Sequence, residues 1–420
     1  MQISESYIGF MPLPSKSEIV DALLNDPPEA RWRIVRQLFR IKRRQDREDL
    51  IQALQPRLFE VDDFKIKYRI NLALQALHRP VNIKEYLLVK NKGIFKPSEI
   101  VNFELKKTNE SNLPNFFPVV DFHIHPKTPD LKFFKDMREA GVTRGVILAT
   151  DTDPNDVDRP EIHNVLREAF DDSPQSSRIS FQSILRHIKT SLYSPTHVTN
   201  QDVADWTRDY PDFFIGFGSV NLSKDRDYIE QNLEEMKRLD LKGVKLLPHA
   251  QFFNPSDNNN MDLLFDYCSN TKSIILSHTG CGPGPFEIPE LSRNAHPALW
   301  EPQVAKYPNV PVVLAHFGSY GKEIPGIWLF EAMQLGKKYR NVYADLAAVD
   351  WLLDRENVVQ EIRKTIGFDR ILFATNYPYS LTPDMGGGYI VSGIKANTHL
   401  TQKEKRKILG ENAARLLGLN

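Results

Sequence analysis

One rhythm constrains this chain more than any other feature. Short apolar, β-branched runs recur at Phe117–His125, Thr143–Ala149, Phe213–Val220, Gly243–Leu247, Ser273–His278, Val310–His316, Asn341–Asp345 and Arg370–Ala374. Helical patterns separate most of them, for example Leu131–Ala140, Tyr228–Leu239, Met261–Asn270 and Trp328–Tyr339. Strands that alternate with helices build parallel sheets, because each crossover must return the chain to the same end of the sheet. Eight such units in roughly 300 residues predict an α/β fold, a (β/α)₈ TIM barrel. A doubly wound open sheet would need a Gly-rich dinucleotide turn after the first strand, and none follows His125. The excess length lies between the second and third runs. There residues 151–212 read as an insertion with helical pieces at Glu161–Phe170 and Ser180–Lys189.

The first 115 residues differ. Ile19, Leu23 and Leu24 form a short helical stripe after Ser15. Trp32, Val35, Leu38, Phe39 and Ile41 form another, and Ile66, Ile70, Leu72, Leu74 and Leu77 a third that ends at Pro80. Short amphipathic helices broken by proline predict an all-α domain of helical hairpins, HEAT-like in kind, over 1–115. The barrel then occupies 116–420, and the polar stretch 105–116 serves as the linker.

Charge narrows the partners. The 420 residues carry 54 Lys+Arg and 54 Asp+Glu, a formal net charge of +0. Residues 1–115 hold 20 basic against 15 acidic side chains, so a mildly basic front is balanced by a mildly acidic barrel. The densest basic run, Arg40 to Arg47, is interleaved with acids just beyond it and reads as a solvated face. Nucleic acid is therefore not the expected partner, and the short apolar runs argue against a membrane span. Two cysteines cannot build a disulfide framework, and Met1–Phe10 lacks the basic start and apolar stretch of a signal peptide. A cytoplasmic homo-oligomer is expected, with the helical front as a surface for a protein partner.

In a (β/α)₈ barrel the chemistry sits at the C-terminal ends of the strands. Run one ends Asp121-Phe-His123-Ile-His125-Pro126. Run four carries Lys245, run five ends at His278 and run six at His316. Run eight is followed by Asn376. Residues two apart on a strand face the same way, so the His123 and His125 imidazoles can share one ion. A lone strand-end histidine is an ordinary structural residue. Four histidines at the same end of three strands point to a metal site. Asp345 at the end of run seven and His249 in the loop after run four are further candidates for substrate contact.

These motifs resemble the amidohydrolase superfamily, and in texture its amidohydrolase-related branch, which includes aminocarboxymuconate-semialdehyde and resorcylate decarboxylases beside hydrolases. The matching segments are Asp121–Pro126, Gly243-Val-Lys-Leu-Leu-Pro248, His296-Pro-Ala-Leu-Trp300, Val313-Leu-Ala-His-Phe-Gly318 and Gly410-Glu-Asn-Ala-Ala-Arg-Leu-Leu-Gly418. The resemblance implies that His123, His125 and His278 bind one or two divalent ions, most often zinc. His316 would be a catalytic histidine in a one-metal site or a ligand to a second ion. Lys245 would be either carboxylated and bridging or an anchor for substrate. One position departs: where the family pattern has an aspartate after strand eight, this sequence has Asn376, which cannot act as a base near neutral pH. The expectation is a metal-dependent hydrolase of a small molecule, cleaving an amide, ester or lactone bond with metal-activated water. The alternatives are a non-oxidative decarboxylase and a degenerate barrel that binds a partner without catalysis.

Overall fold

The computed structural model describes residues 15–25, 44–54 and isolated positions of the first 113 residues. It describes 118–419 apart from 126–136, 193–197, 283–285, 322–324 and 380–387. The chain divides into two units, Met1–Leu113 and Pro114–Asn420. In the first, the helix Lys16–Asn25 buries Ile19 and Leu23, and the helix Arg44–Leu54 buries Leu50 and Leu54. Arg47, within the basic run, is itself buried. The hairpins expected around Trp32 and Ile66–Leu77, and the linker 105–116, lie outside the described residues except for single positions such as Ile70.

The second unit is a parallel eight-stranded barrel. Its strands are β1 Val119–Ile124, β2 Val142–Leu148, β3 Phe214–Ser219, β4 Gly243–Leu246, β5 Ile274–Gly280, β6 Val312–Tyr320, β7 Val342–Asp345 and β8 Ile371–Leu372. They pair in sequence order, β1 to β8, every ladder parallel. The seam from β8 to β1 is drawn together by Phe122 N–H donating to Phe373 O (2.9 Å), Asn376 N–H to His123 O (3.0 Å) and His125 N–H to Tyr377 O (2.8 Å). Inward residues Val120, Phe122, Val146, Leu148, Phe217, Leu276, Val313, Ala315 and Leu372 fill the barrel with one apolar core. That core leaves only the strand ends for polar chemistry.

The lower end is closed by saturated polar anchors. Arg370 donates through Nη1 to Gly336 O, Tyr339 O and Val342 O, and through Nη2 to Ile366 O. Asn412 Nδ2 holds the carbonyls of Phe368 and Ile371. A π-helical turn, Lys407–Glu411, brings Gly410 so close to Pro118 O that no side chain fits between them.

The extra segment between β2 and β3 splits in two. The helix Asn200–Asp209 packs on β3, where Val203 lies over Gly216 and Asn200 Oδ1 accepts the Ser219 N–H at 2.8 Å. It is the crossover helix of the barrel, so the added structure is confined to 151–199. Its helices Pro160–Asp171 and Phe181–Leu192 share an apolar cluster with Ala250, Phe286, Ile288 and Leu291, from the loops after β4 and β5. Lys224 ties its base down, bonding Asp153 (2.8 Å) and Asp156 (2.5 Å). Among the described residues no helix is long and apolar enough to cross a membrane.

Candidate metal centre

β1 is buried at all six positions, and its pairing with β2 is irregular between Asp121 and Ile124, where the strand reaches the site. Asp121 Oδ1 accepts the N–H of His123 (3.2 Å) and of Thr375 (3.0 Å), while Oδ2 accepts the Thr375 hydroxyl (2.7 Å). Burial pushes this carboxyl up to about 7, against the opposing pull of the Thr375 bonds. The clamp fixes the first histidine strand to the segment that carries Asn376. Asn376 is buried and has φ 58°, a left-handed conformation that asparagine tolerates better than most residues.

His123 is the hub. Its Nδ1 lies 2.8 Å from Asp345 Oδ2. Its Nε2 lies 3.0 Å from His125 Nε2 and 3.2 Å from Lys245 Nζ. Ring contacts then run in a row: His125 to His123 at 4.9 Å, His123 to His316 at 4.9 Å, His316 to His278 at 4.7 Å and His278 to His249 at 4.4 Å between centroids. Tyr379 meets His125 at 5.3 Å, and Tyr320 meets His316 at 4.7 Å, so tyrosines flank the row.

His316 is set by unusual backbone. His316, Phe317 and Gly318 have φ of 63°, 49° and 67°, a left-handed turn inside β6. For the two non-glycine residues this costs about 1–2 kcal/mol each. The turn is pinned from both sides. Thr279 Oγ1 accepts the Gly318 N–H (2.8 Å) and donates to Ala315 O (2.6 Å). Across on β7, Asp345 Oδ1 accepts the His316 N–H (2.7 Å) and Ala347 O accepts from His316 Nδ1 (2.8 Å).

Burial holds His123, His278 and His316 well below the ordinary imidazole range, and takes His249 down to about 3. The nearby Lys245 acts in the same direction on all four. Neutral imidazoles keep lone pairs free for a cation. Burial also brings the fully buried Lys245 down to about 7, with Asp345 opposing. Two nitrogens in the row, His278 Nε2 and His249 Nδ1, are buried with no hydrogen-bond partner. Such orphans are costly unless something else occupies them. A divalent ion suits this donor set, since neutral imidazole is the preferred ligand type for zinc and its neighbours. Ligand-type atoms of His123, His316 and Asp345 also lie within 4.8 Å of one another, but both Asp345 oxygens are taken by bonds within the protein.

All seven side chains singled out in the sequence at the ends of β1 and β4 to β7, namely His123, His125, Lys245, His249, His278, His316 and Asp345, fall in this one assembly. Asn376 stands at the same end, joined to His123 through its backbone. Asp345 and His249 have surroundings that spacing did not show. Both Asp345 oxygens are already bonded within the protein. His249 stacks on His278 and meets the edge of Phe286 at 5.2 Å, which itself belongs to the cluster under the insertion. Sequence reading missed Asp121, Thr375, Thr279 and Tyr320. The signal for Asp121 was present as an acid two residues before His123 in the same run. Tyr320 was hidden because the left-handed turn breaks the alternation of β6.

Residues 120–419 match the sequence profile of the amidohydrolase family, Amidohydro_2. Solved structures of similar fold include an uncharacterised TIM-barrel protein of Bordetella bronchiseptica, 19% identical with a TM-score of 0.48 over 72% of this chain and 99% of that one. A 5-carboxyvanillate decarboxylase of Sphingomonas paucimobilis is 14% identical, TM-score 0.49, over 73% and 100%. A probable 2-pyrone-4,6-dicarboxylic acid hydrolase of Acinetobacter baumannii is 12% identical, TM-score 0.46, over 71% and 99%. A search of curated proteins gave no match.

Proposed function

We propose, from the premise that this chain belongs to the amidohydrolase family, that it is a metal-dependent enzyme acting on a small molecule at the mouth of its barrel. The observation that carries the proposal is the row of buried imidazoles with unpartnered nitrogens at the ends of three strands and one loop. In this reading His123, His125 and His278 hold one divalent ion, zinc by preference. When bound, that ion supplies Lewis-acid activation of water or of a substrate oxygen. The remaining residues bind and move protons. His316 Nδ1 is engaged by Ala347 O, which leaves Nε2 as the nitrogen available for proton transfer. Lys245 offers the one buried cation of the cluster to an anionic substrate group, unless carboxylated. His249 is the imidazole of the row nearest the insertion, against Phe286 of the apolar cluster that the insertion shares. Hydrolysis of an amide, ester or lactone is the first reading of the reaction.

Non-oxidative decarboxylation is the second, and Asn376 favours it. Water attack requires a group to take the proton, and an amide at this position cannot do so. Loss of carbon dioxide instead needs a proton delivered to the carbon that loses the carboxylate, a task for a donor and not for a base at position 376. Two assays on metal-loaded protein separate the readings. One follows hydrolysis of an amide, ester and lactone panel. The other follows carbon dioxide release from aromatic and muconate-like acids. Absence of any bound divalent ion in the purified protein, with His123→Ala leaving activity intact, overturns both. Assembly as a homo-oligomer and a partner contact through 1–115 belong to the same proposal, tested by the mass of the native particle.

A further inference from the structure

The geometry points to Asp345 as a positioning residue: one buried carboxylate on β7 fixes the tautomer of His123 and the left-handed turn of His316 together, and does not itself meet substrate or metal.

Asp345 has no exposed surface, and its oxygens are divided between two tasks. Oδ1 receives two backbone N–H groups, from His316 at 2.7 Å and from Ala347 at 3.1 Å. The β6–β7 ladder stops at Leu314 opposite Ala344, so the carboxylate replaces the strand as the partner of the His316 N–H. Oδ2 faces His123 Nδ1 at 2.8 Å. A carboxylate can only accept, so His123 must carry its proton on Nδ1. Nε2 then presents its lone pair toward His125 Nε2 and Lys245 Nζ, both of which can donate to it. This is the orientation a metal ligand needs, with the second nitrogen bonded to a carboxylate. The arrangement couples two neighbouring imidazoles of the row, 4.9 Å apart, through one side chain.

Asparagine at this position gives a sharp contrast. Two N–H donors demand the carbonyl oxygen, so the amide nitrogen of Asp345→Asn must turn to His123 Nδ1. That nitrogen must now accept, and the proton moves to Nε2, where it blocks the lone pair. The substitution conserves shape and both backbone bonds, so a purely structural role would leave the tautomer unchanged.

The test begins on metal-free, chelator-treated full-length protein with ¹⁵N-labelled histidine. The His123 ring signals are assigned by their loss in His123→Gln. The wild type is expected to show a protonated Nδ1 and a bare Nε2, and Asp345→Asn the reverse. Zinc affinity, read by competition with a chromophoric chelator, is expected to fall about 10–100-fold in Asp345→Asn with unchanged stoichiometry. A protonated Nε2 in the wild type overturns the proposal without any variant having to fold. So does an unchanged tautomer in a folded Asp345→Asn, or anomalous scattering at the zinc edge that places the ion on an Asp345 oxygen. The affinity measurement rests on the metal-site reading, whereas the tautomer measurement does not. Should the wild type bind no divalent ion while the tautomer switches as expected, the proposed function fails and the role of Asp345 stands.

Discussion

The two ends of the same barrel solve opposite problems. At the lower end two buried anchors spend their donors on backbone: Arg370 makes four bonds to carbonyls, and Asn341 Nδ2 contacts three more, from Val304, Tyr307 and Val310. At the upper end, histidine nitrogens lie buried without partners, a lysine sits with no exposed surface, and non-glycine residues are held in left-handed conformations. The difference is one of purpose. Saturated anchors stabilise the closed barrel, and unspent donors with strained backbone are tolerated only where the surrounding structure over-determines them and a ligand can use them. Stability and chemistry are thereby separated by the length of a strand.

That separation can be broken at either end. The largest effect is expected at the top: His123→Ala should abolish tight zinc binding, a loss on the order of a thousandfold or more, with little change in the denaturation midpoint, checked by chelator competition and urea unfolding. At the bottom the pattern should invert. Arg370→Ala strips a partner from four carbonyls and should cost about 3 kcal/mol of unfolding free energy, while zinc affinity of the folded fraction stays within about twofold. If Arg370→Ala weakens zinc as much as it weakens the fold, the two ends are coupled and the comparison fails.

A smaller effect is expected from Asn376→Asp, which restores a negative charge beside the imidazoles. Zinc affinity should rise roughly tenfold. A sharp rise in turnover as well would favour hydrolysis and weaken the reading of an idle barrel. No change in either would show that the proton has another route or none. The smallest effect lies on the outer shell. Glu404 bonds Arg363 at 2.8 and 2.9 Å and caps its own helix through Thr401. The Arg363 guanidinium takes this carboxyl down to about 2 from an ordinary 4.5. A depressed carboxylate stabilises fully above its unfolded value, and the contribution disappears as pH falls from about 4.5 toward 2. Wild type should therefore lose stability through that window more steeply than Glu404→Gln. Solvent screening limits the difference to about 0.5 kcal/mol, measured by urea unfolding at pH 5 and pH 3.

The strand pattern was legible because each run is short, apolar and bounded by a helical period, and all eight runs became strands. The histidines were legible for the same reason: strand ends follow from strand positions, and in a barrel those ends converge. Asp345 was visible as a strand-end acid but not as the partner of His123, because 222 residues separate them in the chain. Asn200–Asp209 was folded into the insertion by its position before β3, although its capping box at Thr199 and Asp202 marked a separate helix. The glycine-rich stretch 386–388 falls partly, and the loop 380–387 wholly, outside the described residues.

By itself the sequence determined the period of the barrel and the identity of its ligand-type side chains, with an asparagine and not an acid at position 376. Those are local facts, set by residue type and by spacing of two or of three to four along the chain. Only the tertiary structure decided which nitrogen of His123 faces a carboxylate, that His249 joins the row of imidazoles, and that the insertion seats its apolar face on the loops around Phe286. Each of these depends on contacts between strands and loops far apart in the chain. Their geometry is fixed by barrel closure and packing, which no local pattern encodes.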